Sequence, residues 1–208
     1  MIESIENLIQ LTLTAVCTAI SFRRAFRTRK RVWAMLGLSS FAYFLGDLYW
    51  QLYLIFYGIT PLFSNISDIS WQASYLFILL LLSEVQDEGM RRYRSRALWL
   101  VPVFTTGMCV FYMQWGDYIA NVIWALIMTL LIWRAAAGLL YRHRTGEAAE
   151  KRWLSIAVLV LCAAEYASWT LSCFWIGDTL LNPYFWANLA VSLTFIMLIP
   201  ALGKAVSE

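Results

Sequence analysis

Residues 46–82 read GDLYWQLYLIFYGITPLFSNISDISWQASYLFILLLL. Two apolar blocks are joined by a short polar link, and the first block holds a carboxylate, Asp47, well inside it. Extended to its neighbours, each block reaches the roughly 20 residues that a helix needs to cross a bilayer. Working outward in both directions gives seven such runs, at about 4–22, 33–57, 68–85, 97–114, 118–140, 153–176 and 183–202, all joined by short connections. The expected fold is an all-α membrane protein, a single domain over 1–208 with seven transmembrane helices.

The composition agrees. The chain has 208 residues, 61% hydrophobic and only 14% charged, against about 25% charged in a soluble domain. Its net charge of +3 comes from short loops between apolar runs, so no nucleic-acid partner is expected. Arg23, Arg24, Arg27, Arg29, Lys30 and Arg31 fill the first loop, Arg91, Arg92, Arg94 and Arg96 the third, and Arg142, Arg144, Lys151 and Arg152 the fifth. The alternate loops and the N-terminus hold Glu3, Glu6, Asp68, Asp117 and Asp178, with no Lys or Arg. The positive-inside rule then puts the N-terminus outside and the C-terminus in the cytoplasm. That is a multi-pass protein of the cytoplasmic (inner) membrane of a prokaryote. The acidic opening MIESIEN lacks the basic start of a cleavable signal peptide, so the first run is expected to be retained.

The tryptophans sort by depth. Trp33, Trp99 and Trp153 fall at inner ends, and Trp71, Trp115, Trp175 and Trp186 at outer ends, as in an interfacial aromatic belt. Trp50, Trp124 and Trp169 lie deeper.

Two carboxylates lie inside spans. Asp47 is about 14 residues from the inner end of the second run, and Glu165 about 12 residues from the inner end of the sixth, or roughly 21 and 18 Å at 1.5 Å per residue. Insertion of an Asp at a helix centre costs about 2.5–3.5 kcal/mol, so such residues face the bundle interior or a wet cavity. Each has polar company at helical spacing: Tyr43, Asp47 and Gln51 on one run, and Glu165 with Ser168, Trp169 and Ser172 on the other. Asn188 and Ser192 on the last run and Asn121 on the fifth lie at compatible depth. A polar, aromatic-walled ligand pocket in the outer half is therefore expected, lined by Asp47, Trp50, Gln51, Glu165, Trp169 and Asn188. Tyr43, Asp68, Asn121, Ser168 and Ser192 stand as secondary candidates. The alternative is that the acids are neutral, hydrogen-bonded packing groups.

The first and last three runs share an order of features: Asn7 or Asn121, a basic loop, Trp33 or Trp153, an acid (Asp47 or Glu165), Trp50 or Trp169, Pro61 or Pro183, then Trp71 or Trp186. This suggests a parallel 3+1+3 internal repeat, an architecture that puts ligand sites at the repeat interface.

The series Gly46-Asp47-Leu48-Tyr49-Trp50, Tyr57-Gly58, Pro61, Ser64, Ser67-Asp68-Ile69 and Tyr75 resembles the seven-helix N-terminal sensor regions of some bacterial and archaeal signalling proteins. In those a histidine kinase or diguanylate cyclase domain follows. The resemblance implies a sensory role and marks Asp47, Trp50 and Asp68. This sequence ends at Glu208, which implies signalling through a separate cytoplasmic partner or a homo-oligomer. Retinal proteins share seven helices but need a lysine in the last one, whereas Lys30, Lys151 and Lys204 all fall in cytoplasmic segments. Small 3+1+3 sugar carriers have a similar layout, but their proline–glutamine signature is missing here.

No catalytic motif stands out. His143, the only histidine, lies among loop arginines, and Cys17, Cys109, Cys162 and Cys173 have no metal or redox spacing. No cofactor and no metal are expected. Three functional classes remain: a ligand-binding sensory or regulatory membrane protein, a small proton-coupled transporter, and a scaffold subunit contacting only lipid and protein.

Overall fold

The structure is a computed structural model that describes residues 2–59, 65–146, 149–175, 177 and 179–206. Every regular element among them is helical: α1 (Ile2–Thr28), α2 (Arg31–Tyr57), α3 (Asn65–Val85), the short α4 (Glu88–Arg92), a 3-10 turn (Arg96–Trp99) continuing into α5 (Leu100–Tyr112), α6 (Tyr118–Thr145), α7 (Ala149–Ser172) and α8 (Pro183–Ala205). Residues 60–64, with Pro61 and Ser64 of the resemblance, and Asp178 of the acidic set lie outside the described residues.

Five of these helices, α1, α3, α6, α7 and α8, are long and apolar enough to cross a membrane, the mark of a multi-pass membrane protein. α2 is as long as α1, at 27 residues, but Ser39, Ser40, Asp47, Gln51 and its tyrosines dilute its apolar character. Arg96–Tyr112 is a shorter apolar helix. The large apolar side chains left on the outside, such as Leu8, Ile55, Phe56, Val103 and Leu126, suit a lipid-facing surface.

Helix ends follow local chemistry. Gly58 and Gly146 sit at φ 68° and 71° and return their N–H groups to Leu54 and Arg142, closing α2 and α6. A Cβ is disfavoured in that left-handed region. The Asp117 side chain accepts from the Ala120 N–H at 2.9 Å to open α6. Asn182 accepts from Tyr184 at 3.0 Å to open α8, with Pro183 in the first turn. α1 is 27 residues long, about 40 Å at 1.5 Å per residue, so it carries Arg23, Arg24 and Arg27 well beyond the apolar run. At this basic end, Arg24 lies over the Trp33 ring at 4.6 Å and Lys204 over Trp153 at 5.5 Å. Lys30 bonds the Val206 carbonyl.

The packing order decides where a site can form. α1 packs on α2, α2 on α3, α3 on α6, α6 on α7, α7 on α8, and α8 returns to α1. Six helices thus close a ring, and α5 packs on α6 from outside it. Lipid gives little hydrophobic drive between helices, so close packing and polar pairs hold such rings. Here Thr18–Ser40 at 3.1 Å ties α1 to α2, Ser39–Ser74 at 3.0 Å ties α2 to α3, and Thr105–Thr129 at 2.6 Å ties α5 to α6. The Cys17 thiol donates to the Phe195 carbonyl at 3.4 Å across the α1–α8 seam.

Candidate functional site

At the end of the ring that carries the N-terminus, the helices part around a cavity of about 610 Å³. All six ring helices line it: Glu3, Asn7 and Gln10 from α1, Tyr43, Asp47 and Trp50 from α2, Asp68, Trp71, Gln72 and Tyr75 from α3, Asn121 and Trp124 from α6, Glu165, Ser168, Trp169 and Ser172 from α7, and Tyr184, Phe185 and Asn188 from α8. That volume is typical of small-molecule sites.

Asp47 comes to face the cavity through the inward stripe of α2, where Trp33, Leu36, Ser40, Tyr43, Gly46 and Asp47 recur every three or four residues and are all buried. Gly46 has a specific role. A Cβ there would come within 2.6 Å of Trp71 Nε1, so only glycine lets the indole lie this close to α2. The Trp71 N–H then donates to Asp47 Oδ1 at 2.9 Å. The second oxygen, Oδ2, has no hydrogen-bond partner among the described residues. The Trp50 and Trp71 rings are 6.0 Å apart and the Tyr43 and Trp71 rings 6.3 Å.

Glu165 is held from α2, with the Tyr43 hydroxyl donating to its Oε1 at 3.0 Å. Asn188 is a hub between α1, α7 and α8. Its Nδ2 donates to Glu6 Oε1 at 3.0 Å and to Gln10 Oε1 at 3.1 Å. Its Oδ1 accepts from Gln10 Nε2 at 3.3 Å and from the Ser168 hydroxyl at 3.5 Å. Gln10 Nε2 also reaches the Tyr43 hydroxyl at 3.4 Å. One chain of hydrogen bonds therefore runs Glu6–Asn188–Gln10–Tyr43–Glu165, crossing α1, α8, α2 and α7. A second indole pair, Trp124 and Trp169, stands 5.7 Å apart on α6 and α7.

Of the residues the sequence singles out, Asp47, Trp50, Glu165, Trp169 and Asn188 line the one cavity, as do Tyr43, Asp68, Asn121 and Ser168. Two do not. Gln51 stands outside the lining and accepts from Asn7 Nδ2 at 3.0 Å. α2 turns 100° per residue, and it is Trp50 and Asp47 that face inward. Ser192 is fully buried, with its hydroxyl on the Asn188 carbonyl at 3.4 Å. Asn121 is on the lining but committed, donating from Nδ2 to the carbonyls of Tyr112 and Trp115 at 3.0 and 2.9 Å.

The whole contribution of α1 escapes the sequence reading, although Glu3, Glu6, Asn7 and Gln10 form a polar stripe at helical spacing inside an apolar run. Trp71 and Trp33 are also corrected. Both read as belt residues, yet Trp71 turns inward onto Asp47 and Trp33 is 3% exposed.

No family model matches the chain, and neither does any curated protein or any solved structure.

Proposed function

We propose that the chain is a ligand-binding sensory or regulatory integral membrane protein, built of seven spans with its cavity open to the outer face. The spans are α1, α2, α3, the Arg96–Tyr112 segment, α6, α7 and α8. One observation carries the reading. Buried polar groups from α1, α2, α7 and α8 converge with two indole pairs on a cavity of about 610 Å³, rather than being satisfied separately at helix contacts. Packing glue alone needs no such space. The sensory half of the reading rests on the resemblance across Gly46–Tyr75.

A thermal-shift screen of purified protein against a metabolite library tests it, with Asp47→Asn and Glu165→Gln alongside. The expected result is at least one compound that stabilises the wild type and loses its effect in a variant. No hit, with both variants as stable as wild type, would return the acids to a packing role and leave the scaffold reading.

A second reading, a small proton-coupled carrier, has its own support. α1–α3 and α6–α8 pack helix on helix at the α8–α1 and α3–α6 seams, with α5 outside, and the cavity lies between the two triplets. Those seams are equivalent under the 3+1+3 relation. Flux of the hit compound into proteoliposomes, with a pH dependence lost in Glu165→Gln, would favour the carrier over the sensor.

The orientation makes a separate prediction. In intact cells a membrane-impermeant maleimide is expected to label Leu181→Cys, a fully presented site at 92% exposure. His143→Cys should label only after permeabilisation. The reverse pattern would invert the topology.

A further inference from the structure

The cavity has a marked charge bias. Glu3, Asp47, Asp68, Asp117 and Glu165 all line it, while no Lys, Arg or His does so among the described residues. These acids are spread around the wall, and among the described residues no group of three or more could share one metal ion. The bias therefore fits a ligand larger than a bare metal ion.

Asp47 makes the feature specific. It is 5% exposed, one oxygen is used by Trp71, and the other has no partner among the described residues. A buried carboxylate is costly unless a charge or hydrogen bonds compensate it. Trp71 bonds it directly, the Trp50 and Tyr43 rings stand 6.0 and 6.3 Å from the Trp71 ring, and all three line the same cavity. Aromatic faces attract alkylammonium groups, and they do so more strongly out of water. A carboxylate with a spare oxygen in an aromatic-lined cavity is a usual setting for an organic cation. It is poorly suited to an anion.

We infer that the cavity takes an organic ammonium cation, its charged head set against Asp47 and the indoles of Trp50 and Trp71. The inference rests on the pocket reading above and names the ligand class for it. Glu165, whose Oε1 is held by Tyr43, keeps the far wall acidic, and the lining carboxylates nearer the mouth draw cations toward the opening.

The test uses this 208-residue chain in lipid nanodiscs and its intrinsic tryptophan fluorescence, since Trp50 and Trp71 flank the proposed head. Tetraethylammonium and choline are titrated beside 3,3-dimethyl-1-butanol, the uncharged carbon isostere of choline. The expected result is a saturable fluorescence change with at least one cation and none with the alcohol. Asp47→Asn keeps an oxygen for the Trp71 N–H and so preserves the wall. It should weaken the cation at least tenfold, and Trp50→Leu should weaken it several-fold. An alcohol response equal to that of choline, unchanged cation binding in both variants, or no cation response overturns the inference. If a neutral or anionic metabolite then binds and is lost in Asp47→Asn, the ligand class falls while the pocket stands. If no compound of any class binds, the pocket reading falls with it.

Discussion

Replacing Asn188 with leucine is expected to lower the stability of the protein by about 2–4 kcal/mol. Asn188 makes four side-chain hydrogen bonds, to Glu6, Gln10 in both directions, and Ser168. Interhelical hydrogen bonds within membranes average only about 0.6 kcal/mol each, so the bonds alone account for roughly half of the upper value. The rest comes from what is left behind. Glu6 is 7% exposed and its Oε2 already lacks a partner among the described residues, so losing Asn188 strips the other oxygen as well. An isosteric apolar residue fills the space but cannot satisfy that carboxylate. Asn188→Asp is expected to be at least as damaging, because it puts a second acid against Glu6. Unfolding in a denaturing-detergent titration measures the loss. A Leu variant within about 0.5 kcal/mol of wild type, the range of surface changes, would mean that the Asn188 hub contributes nothing to holding α8 on α1.

The second large effect is expected at Gly46. An alanine there brings a methyl to 2.6 Å from Trp71 Nε1 and 2.8 Å from its Cδ1, closer than any stable contact. The indole is wedged between α2 and α3 and is a stiff neighbour, so the overpacking should cost about 1–3 kcal/mol. Displacing Trp71 also withdraws its N–H from Asp47 Oδ1, which leaves neither carboxylate oxygen with a partner among the described residues. Gly107→Ala on α5 supplies the contrast. Nothing lies within 4 Å of a Cβ at that position, and the helix gains up to about 1 kcal/mol from losing a glycine. Opposite signs for the two Gly→Ala changes, read as melting temperatures in one detergent, are the expected outcome. A shifted emission maximum only in Gly46→Ala would tie the loss to Trp71.

What the sequence makes legible here is depth and charge, and what it hides is rotation. Apolar runs and loop arginines place seven helical segments close to where they occur, because hydrophobic length and charge are one-dimensional properties. The depth of Asp47, Glu165 and Asn188 follows from the same counting, and all three reach one cavity. Which side of a helix faces inward depends on its neighbours. Gln51 sits one turn beyond Asp47 yet lies off the lining, while Trp71 reads as an interfacial anchor but serves as a donor to Asp47. The role of Gly46 is invisible without its partner on α3. The polar stripe of α1 passes unnoticed for another reason. Glu3, Glu6, Asn7 and Gln10 lie near the chain start, where polar residues suggest a solvated end rather than a wall. Only the return of α8 to α1 makes them interior.

That α1–α8 seam also sets an order of events during synthesis. The contacts that close it join residues 178 to 182 positions apart, as in Gln10–Asn188, Cys17–Phe195 and Glu6–Asn188. At a ribosomal rate of about 5–20 residues per second, α8 leaves the tunnel roughly 10–40 s after α1. Throughout that interval Glu6 and Gln10 lack the amide that later satisfies them. The nascent chain must shelter them in water at the membrane surface, against the translocation machinery, or on α2. The ring is thus an assembly whose first helix is the last to be sealed, and its seam is where slow or faulty insertion would leave the protein open.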